Sequence, residues 1–258
     1  MVNIVREHIL ELLGKDIRMD NRKFDEYRKV TVEYGISPKS AEGSARVKIG
    51  KTEVLAGVKM EVGEPYQDNP DQGTIIVNAE LLPMSSPEFE SGPPGIEAIE
   101  LSRVVDRAIR EGKALNFKKL CIKKGEAMWT ILIDIYPIND DGNLFDAAAL
   151  AALAALKDAK FPKLEAENVV NYKESSNQKL PLEKLPMSCT VLKVGNYFLV
   201  DPSVDEESIV DARLTAGILE DGTLCSLQKG GDCGLTPEEI DKMVEIAIKK
   251  TKELRKAL

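Results

Sequence analysis

Histidine is almost absent from this chain, which has one, His8, among 258 residues. With a single histidine inside a predicted amphipathic helix, histidine-based catalytic triads and multi-histidine metal sites are excluded. His8 itself is interpreted as a helix-surface or packing residue. Any catalysis by this chain would therefore have to depend on carboxylates.

Cysteines are few and scattered along the chain. The four are Cys121, Cys189, Cys225 and Cys233, and no two of them form a C-x-x-C pair. This spacing indicates neither a zinc site nor a disulfide framework, so ordinary reduced thiols are expected. We expect no cofactor and no metal ion.

Long apolar runs and a basic excess are also lacking. No stretch approaches the roughly 20 apolar residues of a membrane-spanning helix, and the opening "MVNIVREHILELLGK" has the spacing of a short amphipathic helix rather than that of a signal peptide. We therefore expect a cytoplasmic protein without a membrane partner. The net charge of −8 and the pI near 5.0 argue against a surface coated with nucleic acid, so any such contact must be local.

Strand-like and helix-like segments occur in runs without regular alternation, which favours an α+β fold over a doubly wound sheet. Glycine turns predict hairpins at Gly50-Lys51 and at Gly195-Asn196. A polar, proline-containing segment shows no sustained period and is predicted to be a linker or a long surface connection. The predicted division is 1–27 for an N-terminal helix and lead-in, 28–160 for a first half, 161–187 for the connecting segment and 188–258 for a second half.

The segment "IEAIELSRVVDRAIREG" predicts a helix with an apolar stripe on one face and arginines on the other. The stripe consists of Leu101, Val104, Val105 and Ala108, and the arginines are Arg103, Arg107 and Arg110. Residues 94–124 contain eight basic and four acidic residues in an otherwise acidic chain. Two explanations stay open: Glu100 and Asp106 neutralise the arginines, or the arginines form an anion-binding face for which RNA phosphate is the obvious anion.

The turn "NDDGNLF" leads into an alanine-rich helix, an arrangement that often holds phosphate because backbone N–H groups and the helix dipole point outward. Asp140 and Asp141 place negative charge there, and because no basic side chain is nearby in the sequence, we expect none to lie near this charge. Phosphate binding is therefore expected to be poor unless a partner supplies cations. A calcium loop is excluded, because with Gly142 at the glycine position Pro137 and Ala148 stand where acidic ligands are needed.

A second acidic cluster lies in "DPSVDEESIVDAR", whose acids are Asp201, Asp205, Glu206, Glu207 and Asp211. Such a cluster has enough carboxylates for a magnesium ion. Acids are also common at solvated helix starts, where they interact favourably with the helix dipole. The second interpretation is favoured on the sequence alone.

Several segments together resemble the ribonuclease PH family. They are "DNRKFDEYRKVTVEYGISPKSAEGSARVKIGKTEVLAGVKM", similar to its opening strands, "IELSRVVDRAIR", similar to its arginine-bearing helix, and "LEDGTLCSLQKGGDCGLTPEEI", similar to its closing segment. The resemblance implies an α+β fold with two related β-α-β halves, of the kind found in ribosomal protein S5 domain 2, packed together. It also implies a hexameric ring that degrades RNA from the 3′ end with phosphate.

The chain departs from the pattern of active members of this family at two places. In the loop that grips phosphate it has Gly142, Asn143 and Leu144, so the phosphate-gripping arginine is replaced by an apolar residue. At the positions of the two catalytic aspartates it has Glu207 and Arg213, and an arginine cannot act as a general acid or hold a metal. The resemblance therefore implies no catalytic residue in this chain.

This combination resembles the non-catalytic ribonuclease PH-like subunits of archaeal exosomes. The resemblance implies a catalytic ribonuclease PH-like partner, three heterodimers in a hexameric ring, cap subunits with S1 or KH domains, and single-stranded RNA as ligand. It assigns RNA phosphate to Arg103 and Arg107, and with less support to Arg110, which decides between the two explanations left open above.

Two alternatives to this interpretation are retained. One is an autonomous phosphate-dependent 3′-to-5′ exoribonuclease whose acids are Asp205, Asp211 or Glu207, with phosphate held by Lys229 or Arg213. The other is a metabolic enzyme or binding module on a similar α+β fold, which would show neither ring assembly nor affinity for RNA.

Overall fold

A computed structural model describes residues 2–165 and 168–258, and only the backbone of Val2 and Asn3. Met1 of the predicted lead-in, and Ala166 and Glu167 of the predicted connecting segment, lie outside the described residues. The first elements are α1 (Val2–Leu13), β1 (Val30–Tyr34), β2 (Gly43–Ile49), β3 (Thr52–Gly63), β4 (Thr74–Ala79), α2 (Ile96–Glu111), β5 (Cys121–Lys123), β6 (Ala127–Asn139) and α3 (Leu144–Asp158). They are followed by β7 (Lys160–Leu164), β8 (Val170–Lys179), β9 (Met187–Val194), β10 (Tyr197–Val200), α4 (Val204–Glu207), β11 (Ala212–Ile218), β12 (Leu224–Gly230) and α5 (Pro237–Leu254).

The first large sheet has the strand order β1-β2-β3-β6-β4, with β5 added to β6. The predicted hairpin at Gly50-Lys51 is confirmed, since Ile49 pairs with Thr52. Strand β4 runs parallel to β6, and α2 lies in the crossover between them. Residues of β3 alternate between buried and half-buried because one face of the sheet packs against α3.

The second sheet has the order β10-β9-β11-β12. The predicted hairpin at Gly195-Asn196 is also confirmed, with Val194 paired to Tyr197. Strands β10 and β11 both run antiparallel to β9, so they are parallel to each other and α4 lies between them in the chain. Each half thus contains a β-α-β crossover, and the predicted α+β fold with two related halves is confirmed.

The alanine-rich helix α3 lies between the two sheets and contacts β2, β3 and β9. Every residue from Asp146 to Leu156 is buried. The small side chains allow close approach, and a Cβ atom on Gly43 of β2 would lie 2.4 Å from the carbonyl oxygen of Ala155. The sequence left open whether this helix lies in the core or at a subunit interface, and the structure places it in the core.

The predicted connecting segment, expected to be a linker or a long surface connection, contains regular secondary structure. Strands β7 and β8 form a two-stranded antiparallel sheet, with Lys160 paired to Lys179 and Leu164 to Val170. Most residues of β8 are exposed, so the segment lacks the apolar alternation by which a strand is recognised in a sequence. The four-part division by residue number stays a prediction.

Candidate functional site

Helix α2 holds the predicted arginine face above the second sheet. Leu101, Val105 and Ile109 are buried on its inner side, whereas Arg103 and Arg107 are exposed. Arg107 donates a hydrogen bond from Nη1 to Oε1 of Gln228 on β12, at 2.9 Å. Arg103 makes no ion pair within residues 2–165 and 168–258. The helix therefore presents two guanidinium groups to solvent, and neither is neutralised by a carboxylate of the described chain.

Arg110 is placed differently from the other two arginines. Its Nε and Nη2 atoms donate to the carboxylate of Asp106, at 3.1 and 2.7 Å, and Nη2 also donates to the carbonyl oxygen of Ile75 at 2.9 Å. Neutralisation within the protein, one of the two explanations that the sequence left open, thus applies to Arg110. Glu100, the other acid considered, pairs with Arg213 instead of a helix arginine.

The loop before α3 is held in a fixed shape by its own polar groups. Asp140 accepts a hydrogen bond from the backbone N–H of Gly142 at 2.9 Å, and Thr52 donates from Oγ1 to the carbonyl oxygen of Gly142 at 2.6 Å. Gly142 has φ +86°, and a Cβ atom there would lie 2.4 Å from the carbonyl oxygen of Pro202. The next residue, Asn143, is also left-handed and occupies the N-cap position of α3, although its side chain makes no capping hydrogen bond to the helix backbone. Only glycine fits the tight position, which explains why Gly142 stands there.

A basic side chain that the sequence did not predict screens this loop. Nη1 of Arg28 donates to the carbonyl oxygen of Asp141 at 2.6 Å and lies 3.0 Å from its carboxylate, while Nη2 donates to the carbonyl oxygen of Gly142. The expectation that no basic side chain lies near Asp140 and Asp141 is therefore wrong. Arg28 is 113 residues away from Asp141 in the chain, and only the tertiary fold brings them together.

The side-chain carboxylate of Glu207 lies at the N-terminus of helix α3. Its Oε1 atom accepts a hydrogen bond from the backbone N–H of Asn143 at 2.9 Å, at the position where an anion would bind. Burial, together with the nearby Asp140, raises the pKa of Glu207 to about 7, although the N–H of Asn143 and the guanidinium groups of Arg213 and Arg28 oppose the shift. The loop thus carries an internal carboxylate where the sequence suggested a phosphate site.

This carboxylate predicts a measurable pH dependence of stability. Between about pH 4.5 and 7 the folded chain keeps a proton on Glu207 that the unfolded chain releases, so the free energy of unfolding falls as the pH rises through that window. Glu207→Gln keeps an oxygen for the N–H of Asn143 and removes the titration. We expect the variant to match the wild type at pH 4.5 and to be more stable by about 3 kcal/mol at pH 8. Urea unfolding at a series of pH values measures this difference, and a constant difference across the series would contradict the assignment.

Arg213 is held inside the same site. Its Nη2 atom lies 2.5 Å from Oε1 of Glu100, and its guanidinium stacks over the ring of Phe145 at 4.2 Å. A Cβ atom on Gly230 would lie 2.3 Å from this guanidinium, so the glycine on β12 leaves room for it. The structure therefore brings the two positions predicted as degenerate, Glu207 and Arg213, together beside the loop.

The second acidic cluster is not a solvated group of carboxylates. Asp201 pairs with Arg22 and Arg28, Glu206 with Arg18, and Asp211 with Arg6, all of which come from the N-terminal 28 residues. The favoured interpretation as a solvated helix start is therefore wrong for these three acids, because arginines distant in sequence cover them. Within the described ranges, no group of three or more histidine, cysteine, aspartate or glutamate residues is arranged to hold a metal ion.

Comparison with known protein families places this chain in one family. The model for domain 1 of the 3′ exoribonuclease (ribonuclease PH) family matches residues 26–162, and the model for domain 2 matches residues 184–250. The chain belongs to this family. Both domains of a ribonuclease PH protein are thus present, in agreement with the resemblance found in the sequence.

Individual members of the ribonuclease PH family are similar over almost the whole chain. The exosome complex component Rrp42 of Methanothermobacter thermautotrophicus is 45% identical over 254 residues, which cover 97% of this chain and 93% of that protein. Rrp42 of Methanocella arvoryzae is 45% identical over 258 residues, with 100% and 96% covered. A chain of the solved Archaeoglobus fulgidus exosome, which has RNA bound to the active site, is 46% identical with a TM-score of 0.91, covering 99% of this chain and 98% of that one.

None of the helices in the described part of the chain combines the length and the apolar character needed to cross a membrane.

Proposed function

We propose that this chain is a non-catalytic subunit of an archaeal-type exosome. It assembles with a catalytic ribonuclease PH-like partner as three heterodimers in a hexameric ring, beneath cap subunits with S1 or KH domains. The ring degrades single-stranded RNA from the 3′ end with phosphate, in the cytoplasm. In this ring the chain shapes the partner's active site and holds RNA phosphates with Arg103 and Arg107, while Arg110 makes a lesser contribution.

One observation carries the non-catalytic assignment: the carboxylate of Glu207 accepts the hydrogen bond from the backbone N–H of Asn143 at the start of α3. A phosphate ion would have to displace this carboxylate and would meet the negative charge of Asp140, while the nearby guanidinium of Arg28 is already paired with Asp141 and Asp201. Arg213 cannot compensate, because its guanidinium is committed to Glu100 and to the ring of Phe145. The loop is thus occupied by the chain itself.

The autonomous exoribonuclease has less support from the contacts of its proposed residues. Asp211 pairs with Arg6 and accepts from the N–H of Gly195, and Nζ of Lys229 donates to the carbonyl oxygen of Gly231. Asp205 is exposed on α4. Asp211 and Lys229 are therefore directed to separate partners, and Asp205 to solvent, rather than to one reacting centre.

The RNA-holding role follows from the two exposed arginines. Guanidinium groups neutralise phosphates irrespective of the base, so Arg103 and Arg107 can hold any sequence in register while a neighbour performs the chemistry. The similar proteins support this role, because the Rrp42 relatives are exosome components and the similar Archaeoglobus fulgidus exosome has RNA bound to its active site.

An assay of phosphate-dependent RNA decay tests the assignment. The purified chain alone is expected to release nucleoside diphosphate from a single-stranded oligoribonucleotide at no more than the background rate. Its equimolar mixture with the catalytic partner is expected to exceed that background at least about a thousandfold, because a complete set of catalytic groups acts cooperatively. The partner with its own catalytic acid removed is the control for contaminating nucleases. Robust phosphate-dependent activity of the chain alone would replace this proposal with the autonomous enzyme.

A further inference from the structure

A cavity of about 580 Å³ lies at the C-terminal end of α2, outside the loop and the arginine pair described above. Its wall includes the segment that precedes β4 and the short 3₁₀ helix Phe117–Leu120. Tyr66, Asn69, Arg110, Lys113, Phe117 and Lys118 are among the lining residues. The size is within the range of sites that hold small ligands.

The cavity is basic, although the chain as a whole carries a net charge of −8. Lys113 and Lys118 are exposed and form no ion pair or hydrogen bond through their ammonium groups in the described ranges. The carboxylate on the wall, that of Glu183, already accepts from Nδ2 of Asn116 at 2.8 Å and from Nζ of Lys119 at 3.2 Å. Two ammonium groups are therefore left for an anion.

The backbone fixes Lys113 at the rim of the cavity. Lys113 has φ +50°, the left-handed conformation in which glycine or asparagine usually ends a helix. Its N–H donates to the carbonyl oxygen of Arg110 at 3.1 Å, and the N–H of Ala114 donates to that of Ile109 at 3.0 Å. A lysine thus stands at a position that is conformationally unfavourable for it, and its ammonium group has no intramolecular role that would explain the choice.

The other walls suit a nucleobase. Tyr66 is 60% exposed, so its ring is available for stacking. Leu115 is buried and Phe117 is half-buried, so the floor is apolar, while the side-chain amide of Asn69 offers a donor and an acceptor. Aromatic stacking together with nearby cations is the combination by which proteins bind single-stranded nucleic acid.

We propose that this cavity binds one nucleotide unit, with its phosphate at Lys113 and Lys118 and its base on Tyr66. The unit belongs either to an RNA strand that continues beyond Arg103 and Arg107 or to a free nucleoside diphosphate, which is the product of phosphorolysis. The inference rests on the proposed function, since it extends the RNA path along α2. Arg110 contacts both regions, because it lies one helical turn beyond Arg107 and also lines the cavity.

Fluorescence anisotropy of the full chain with a labelled single-stranded oligoribonucleotide, repeated over a salt series, tests this site. Lys113→Ala with Lys118→Ala is expected to weaken binding about tenfold and to lower the magnitude of the salt slope by about 0.7 for each lost phosphate contact. Tyr66→Ala is expected to weaken binding by about tenfold without changing the slope, since stacking releases no counterion. Lys249→Ala with Lys252→Ala, an exposed pair on α5, is the matched control and should leave both quantities unchanged.

Two further arms separate the sources and the alternatives. Calorimetry with ADP distinguishes the free nucleotide from the strand. If the wild type binds ADP and the cavity variants do not, the occupant is the free nucleoside diphosphate. If the wild type binds only the oligoribonucleotide, the occupant is a unit of the RNA strand. Poly-glutamate serves in a further assay as a probe for an acidic protein partner. The proposal would be overturned if the lysine and tyrosine variants bound the oligoribonucleotide and ADP as tightly as the wild type. It would also be overturned if these variants lost only the binding of poly-glutamate, which would indicate an acidic protein partner. Arg103→Ala with Arg107→Ala, measured in parallel, reports on the proposed function separately, because it leaves the cavity intact.

Discussion

Reversing the charges of Arg103 and Arg107 is expected to slow RNA decay by the assembled ring about a hundredfold or more at low salt. Each charge-assisted hydrogen bond to phosphate contributes roughly 1.5–3 kcal/mol, and the glutamates of Arg103→Glu with Arg107→Glu would add repulsion to the lost contacts. Both side chains are exposed, and the contact within the described chain that the substitution removes is the hydrogen bond from Arg107 to Gln228. Folding and ring assembly should therefore be preserved.

Three measurements on the ring isolate the role of the arginines. Lys249→Glu with Lys252→Glu changes the net charge by the same amount on α5 and should leave the rate unchanged. Decay of the arginine variant should depend less steeply on salt than that of the wild type, because fewer counterions are released when RNA binds. Size-exclusion chromatography checks the ring. An intact ring that degrades RNA at the wild-type rate at low salt would refute the RNA-holding role.

Local patterns were sufficient to predict much of the fold. The glycine turns at Gly50 and Gly195 specify hairpins from neighbouring residues alone, and the apolar stripe of α2 specifies which face packs inward. The exposure of Arg103 and Arg107 followed from the same periodicity. The family was also recognisable, because its motifs are short segments whose residues are read directly from the chain.

Contacts between distant residues could not be predicted from such patterns. The approach of Glu207 to Asn143 and of Arg213 to Glu100 depends on the packing of the two halves, across separations of 64 and 113 residues. The approach of Arg28 to Asp141 depends on the folding of the first half, across 113 residues. Strand β8 was missed for a different reason. Its exposed residues leave no alternation, so only its backbone pairing with β7 identifies it.

Asp201→Asn is expected to produce the largest loss of stability, with the free energy of unfolding reduced by about 3–5 kcal/mol. Asp201 is fully buried, and its carboxylate accepts from the guanidinium groups of Arg22 and Arg28, from the backbone N–H of Arg28 and from Nδ2 of Asn143. The substitution keeps the size of the side chain but removes the buried counter-charge that both arginines share, so that Arg22 keeps only Asp20 and Arg28 only Asp141 as ion-pair partners in the described ranges. It also turns an amide N–H₂ group toward groups that donate.

The backbone is not the source of this expected loss. Asp201 has φ +49°, and asparagine tolerates the left-handed conformation well, so Asp201→Asn isolates the charge from the conformation. Asp205→Asn makes the same chemical change at an exposed position on α4 and should alter stability by less than about 0.5 kcal/mol. In thermal unfolding the buried variant should melt about 10 °C lower than the wild type.

The same variant distinguishes a local from a global role for Asp201. Its partners are Arg22 of the N-terminal lead-in and Arg28 and Asn143 of the first half, while Asp201 itself follows β10 of the second half. If the carboxylate joins the two halves, Asp201→Asn lowers the single unfolding transition of the whole chain, because neither half then keeps its neighbour in place. If the variant melts at the wild-type temperature, or if its hydrogen exchange is faster only in the lead-in, Asp201 only orders the arginines around it.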